Sequence, residues 1–210
     1  MAVTRERFQQ GMTYDEFKAS MTRNRDRVEA LEAKVEIKPE DLAAFKNLPE
    51  PVDVLVIGAD WCYDVITNLP VLVRVAKESG KLNMRVFERD QSPDVMAEYM
   101  NGPYMSIPVF AFFDRDFKEL GHWIERPKAV TDLRDQRRSE IFAKNPEFGS
   151  PAGPVDQLSE ETRAKLSQAM NAMREDTIPW ANQQVISEMR AIVEGRIKEA
   201  GNLAAAATKA

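Results

Sequence analysis

Thiol and imidazole groups are nearly absent from this sequence, which has one cysteine, Cys62, and one histidine, His122, in 210 residues. One cysteine excludes an internal disulfide, and one Cys with one His falls short of the four ligands of a structural zinc ion. No metal and no cofactor is expected. Long apolar runs are missing too, with nothing near the ~18 residues that signal a membrane-spanning helix. The first residues, Met1-Ala2-Val3-Thr4-Arg5-Glu6-Arg7, lack the apolar stretch of a secretion signal. Charge of one sign is also lacking. The 29 basic and 34 acidic residues are interspersed at a net charge of −5 and leave no basic stripe for nucleic acid or an anionic membrane. A lone cysteine with no leader fits a reducing cytoplasm.

The chain is rich in apolar residues, 43% of the total, which is ample for a core at this length. Cys62 sits in Trp61-Cys62-Tyr63-Asp64-Val65, between two apolar patterns. Val52-Asp53-Val54-Leu55-Val56-Ile57 reads as a buried strand, and Gly58-Ala59-Asp60 as a turn. Val65, Leu69, Leu72, Val73 and Ala76 then recur at helical spacing up to Glu78-Ser79-Gly80. Met84 to Phe87 supplies a second strand, and such a crossover makes the two strands parallel. Ser92-Pro93-Asp94 opens a further helix that ends at Asn101-Gly102-Pro103. Val109 to Phe113 and Leu120 to Ile124 read as an antiparallel pair around Asp114-Arg115-Asp116.

Helices are expected on either side of this unit. Thr13-Tyr14-Asp15-Glu16 has the capping-box pattern and starts an amphipathic helix to about Ala33, with a short helix from Pro39 through Phe45. A charge-paired helix is expected over 128–144, and residues 145–154, with three prolines and two glycines, read as a linker. Two late helices follow, separated by Thr177-Ile178-Pro179-Trp180; the second carries Val185, Ile186, Met189, Ile192, Val193 and Ile197. The organisation expected is a packed N-terminal extension over 1–49, a core over 50–126, a C-terminal helical extension over 127–202 and a frayed tail over 203–210.

The core resembles the thioredoxin superfamily over about residues 50–126. Trp61-Cys62 follows the first strand, Pro70 stands eight residues later where thioredoxins kink their active-site helix, and Ser106-Ile107-Pro108-Val109-Phe110 matches the segment in which a cis-proline opens a strand beside the active site. Gly121 falls where thioredoxins have a glycine late in the sheet. The resemblance implies an α/β fold, a thioredoxin-like mixed sheet flanked by helices, with extra helices at both ends. Two departures bear on activity. Val65 stands where thioredoxins place the second cysteine, and Val56 where they place a buried aspartate. The W-C-x-D form is similar to bacterial thioredoxin-like proteins that keep one cysteine.

Cys62 is the candidate catalytic residue, at the start of a helix whose free N–H groups and dipole favour a thiolate. The carboxylates of Asp60 and Asp64 act in the opposite sense. Trp61, Tyr63, Asp64, Ile107 and Pro108 are candidate binding residues, with Tyr104 and Met105 close by in sequence. Asp64 also reads as a first-turn carboxylate that only stabilises the helix, and His122 as structural. Arg134, Arg137 and Arg138, interleaved with acids, read as a solvated helix face. Two functions fit. One is a monothiol disulfide oxidoreductase forming a mixed disulfide at Cys62 with a protein or a small thiol of the glutathione type. The other is a non-catalytic binding or scaffold module using the groove around Trp61 and Pro108. Neither a nucleic acid nor a membrane partner is expected, and both a monomer and a homodimer fit the apolar late helices.

Overall fold

A computed structural model describes residues 3–204. From residue 205 on, the expected frayed tail lies outside the described residues. Five strands form one mixed sheet in the order β2-β1-β3-β4-β5: β1 (Val52–Gly58), β2 (Leu82–Glu88), β3 (Val109–Phe113), β4 (Glu119–Ile124) and β5 (Glu199–Gly201). β1 runs parallel to β2 and antiparallel to β3, β3 is antiparallel to β4, and β4 is parallel to β5.

Four helices precede the sheet: α1 (Arg5–Gln9), α2 (Tyr14–Ser20), α3 (Arg25–Glu32) and α4 (Pro39–Lys46). The long helix α5 (Tyr63–Ser79) links β1 to β2, and the single turn α6 (Pro93–Met96) precedes β3. After β4 come α7 (Lys128–Lys144) and α8 (Glu160–Val193). Val54 to Ile57 in β1 are fully buried because the sheet is covered on both faces. α5 is buried almost all round, which a surface helix never is. The cause is a second layer, since α3, α4 and α8 all lie against its outer side. Gly80, at φ 65°, ends α5 in the left-handed conformation that glycine adopts without penalty.

The single helix expected over 13–33 is two. The capping box of Thr13 and Glu16 is present, but α2 stops at Ser20. The Asp60 carboxylate accepts the backbone N–H groups of Thr22 and Arg23, and Asn24 Nδ2 donates to the Asp60 carbonyl. The break thus anchors the turn that leads into Cys62, a demand that apolar spacing does not register.

The two late helices are one. α8 runs unbroken through Pro179, with Met173, Thr177, Ile178, Ala181, Asn182 and Val185 buried on either side of it. An interior proline costs about 3 kcal/mol, and continuous burial of this stripe outweighs it. Ile197 lies beyond the end of α8, where the chain turns back to add β5 to the sheet. That approach needs Gly121, because a Cβ there would stand 2.4 Å from the Lys198 carbonyl oxygen. The proline- and glycine-rich stretch over 145–154 is tied down, since Phe148 packs with Phe142 and Leu166 in a small second core.

Candidate functional site

Cys62 is the residue immediately before α5, with extended backbone, and its N–H donates to the Ala59 carbonyl at 3.2 Å. The side chain is half-buried. Its thiol donates to the Ile107 carbonyl oxygen, 3.6 Å away, and the Ile107–Pro108 peptide is cis. A chain of bonds holds this loop, with Glu125 N–H donating to the Pro108 carbonyl at 2.8 Å and Asn68 Nδ2 to the Glu125 carbonyl at 2.9 Å. Glu125 itself has φ 71°, uncommon for a residue other than glycine.

Burial pushes the Cys62 thiol up from its ordinary value, and the Asp64 carboxylate adds to this. The N–H groups of Val65 and Asp64 and the Arg126 guanidinium pull the other way without overcoming it. The helix start thus favours the thiolate, but burial outweighs it and the thiol is not acidified. Val65, one turn on, and Val56, on the neighbouring strand, are both completely buried, so the usual sites of a second sulfur and an acid are filled by hydrocarbon.

Asp64 is more than a helix-start carboxylate. It is nearly buried, 3.2 Å from Arg126 and 3.6 Å from Arg134, and burial raises its pKa despite both arginines. Arg134 therefore does not lie on a solvated face. It points inward from α7, donates to Thr177 Oγ1 on α8 and has its own pKa lowered by burial. The Tyr63 ring is ringed by cations, with Arg27 5.0 Å, Arg174 5.4 Å and Arg134 5.6 Å from its centroid. Its hydroxyl is buried without a hydrogen-bond partner.

Trp61 is 44% exposed and lies under the Arg89 guanidinium at 4.5 Å. Tyr104 and Met105 are exposed in the loop before Ile107. His122 joins a separate group, bonded through Nδ1 to Glu119 at 2.7 Å and edge-on to Tyr99. The sequence-derived set thus divides. Cys62, Asp64 and Ile107 converge, and Trp61 and Tyr63 flank the thiol on surfaces of different character. The four arginines were invisible as a group, since they come from α3, the turn after β4, α7 and α8. Among the described residues, no cluster of three or more His, Cys, Asp or Glu is placed to hold a metal ion.

The thioredoxin family model matches residues 11–138. Among solved structures, a crystal structure of a protein of unknown function from Pseudomonas aeruginosa is similar at a TM-score of 0.66 and 20% identity, covering 94% of this chain and 100% of that one. An HIV epitope-scaffold is similar at a TM-score of 0.61 and 17% identity, covering 92% of this chain and 99% of that one. No curated protein matches the chain. At these identities the structural likeness bears on the fold.

Proposed function

Because the chain belongs to the thioredoxin family, we propose that it is a single-cysteine member of the W-C-x-D kind, a bacterial cytoplasmic protein that exchanges thiols and disulfides through Cys62. The observation that carries this reading is the half-buried Cys62 sulfur at the head of α5, facing the Ile107 carbonyl beside the exposed Trp61, Tyr104 and Met105. The Cys62 thiol loses its proton to solvent, and the thiolate attacks one sulfur of a disulfide. A bond forms between Cys62 and that sulfur, and the other half leaves as a thiolate. With valine at position 65 nothing internal breaks the mixed disulfide, so an external thiol attacks it, regenerates Cys62 and carries the other half away as a new disulfide. The raised thiol pKa makes the first step slow at neutral pH.

The test is intact mass after incubation with a small disulfide at alkaline pH. The expected product is one adduct per chain, absent in Cys62→Ser and removed by a thiol. If no adduct forms, the alternative holds. In that case the exposed Trp61, Tyr104 and Met105 around Pro108 form a binding face that works without turnover.

A further inference from the structure

We infer that the arginines around Tyr63 form an anion-binding subsite beside Cys62, one that selects disulfides bearing carboxylates over neutral ones. The inference deepens the monothiol reading and rests on it. Four guanidinium groups, those of Arg27, Arg126, Arg134 and Arg174, converge on two adjacent residues of the first turn of α5. Three of them share one tyrosine ring, so no two of these are farther apart than the sum of their distances to its centroid. Crowding like charges this way is unfavourable unless anions compensate it.

The carboxylates present fall short of doing so. Arg27 pairs with Glu175, Arg126 with both Glu125 and Asp64, and Arg134 shares Asp64. Arg174 makes no close ion pair among the described residues, acting on Asp64 only at longer range, and it is exposed. Arg126 and Arg134 are the more buried pair and hold Asp64, while Arg27 and Arg174 are the more exposed pair, and a ligand carboxylate there would bridge Arg174 to an Arg27 already shared with Glu175. The Tyr63 hydroxyl, at the end of the ring these arginines surround, is buried with no hydrogen-bond partner in the protein. Planar guanidinium forks suit a carboxylate. Tyr63 directly follows Cys62, and Arg126 is close enough to the sulfur to favour its thiolate. A carboxylate held here would belong to the molecule whose sulfur meets Cys62.

The experiment compares the second-order rates at which Cys62 forms adducts with oxidised glutathione, which is anionic, and with 2-hydroxyethyl disulfide, which is neutral. It uses the full chain and the variant Arg27→Gln/Arg174→Gln. In the unmodified protein the anionic disulfide should react faster than its solution reactivity predicts. The variant should slow it on the order of tenfold while leaving the neutral one at the unmodified rate, which also shows that the variant is folded. Added salt should reproduce the loss. If the variant leaves the ratio of the two rates unchanged, the subsite is wrong and the monothiol reading stands. If neither disulfide reacts, the monothiol reading fails. The subsite is then decided by calorimetric titration of Cys62→Ser with S-methylglutathione, where binding lost on adding Arg27→Gln/Arg174→Gln supports it and absence of binding overturns it.

Discussion

Arg134, on the helix that follows the last strand of the central βαβαββ unit, lies 3.6 Å from Asp64 in the first turn of the cysteine helix. Both side chains are only 13% exposed, so this pair is close to a buried one. Breaking a buried pair strands the remaining charge, at about 3–5 kcal/mol. Arg126 stays beside Asp64 and recovers part of that. Arg134→Ala should therefore lower stability by about 1–3 kcal/mol, and Asp64→Asn should make the same change nearly neutral. Urea midpoints for the two single variants and the double variant measure the coupling, and additive effects would show that the two residues do not interact.

The same carboxylate acts on the sulfur. Asp64 adds to the burial that holds the Cys62 thiol above its usual value, and Arg126 opposes it. The unmodified protein should therefore react slowly with iodoacetamide near neutral pH and faster as the pH climbs through the alkaline range. Asp64→Asn should move this profile to lower pH, with alkylation near neutrality faster on the order of threefold. Arg126→Gln should move it the other way. A profile that Asp64→Asn leaves in place would mean that burial alone sets the thiol.

The central unit was legible because its signals are local. Val52 to Ile57, the periodicity through Ala76 and the 109–113 and 120–124 pair each carry a pattern that burial in a covered sheet enforces. What escaped were features settled by distant partners. Asp60 stops α2, burial along α8 overrides Pro179, and Gly121 admits a strand from residues 199–201. Within the site, Cys62 could be read from its place before a helix. Arg134 could not, because its alternation with acids is what a solvated face also shows, and only the fold reveals which face turns inward.

Glu188, on α8, accepts a hydrogen bond from Trp123 Nε1 at 2.6 Å, and burial still raises its pKa. A carboxyl with a raised folded-state pKa binds its proton more tightly in the native state than in the unfolded one. Its contribution is thus fully present below the unfolded-state value and is lost as pH rises through the higher folded-state value. Glu188→Gln keeps an oxygen to accept from Trp123 and has no charge to lose. Relative to the unmodified protein, the variant should gain stability between acid and neutral pH. Melting temperatures of the two proteins, compared across that range, should diverge in its favour as pH rises. A constant difference would show that Glu188 titrates alike in both states.

The last helix is part of the core. Val185, Ile186, Met189 and Ile192 are completely buried within the main apolar cluster. At about 1.5–3 kcal/mol per buried side chain, these four alone rival the about 5–15 kcal/mol that holds a whole domain folded. Ending the chain after Pro146 removes them together with β5. The truncated protein should aggregate or lose cooperative unfolding, as seen by light scattering and thermal melts. A monomeric product with an unchanged melting temperature would show that α8 is dispensable.

Cys62 acting alone should not sustain the turnover of a dithiol enzyme. Its attack on a protein disulfide ends in a mixed disulfide, and the side chain one helical turn on is Val65, fully buried against Gly58. Insulin reduction by dithiothreitol should therefore proceed at the reductant's own rate. Val65→Cys places a thiol in the first turn of α5, three residues after the Cys62 that precedes it, where a disulfide needs only a local adjustment of the helix start. The exchange removes little volume, so the fold should survive at a cost of about 1 kcal/mol. The variant should form an internal disulfide under oxidising conditions and accelerate insulin reduction. It should remain slow, because Val56, also fully buried, leaves no acid to move the proton of the resolving thiol. Rapid turnover by the unmodified protein would refute the single-thiol reading. A Val65→Cys protein that oxidises but does not accelerate the reaction would place the limit on proton transfer rather than on the missing sulfur.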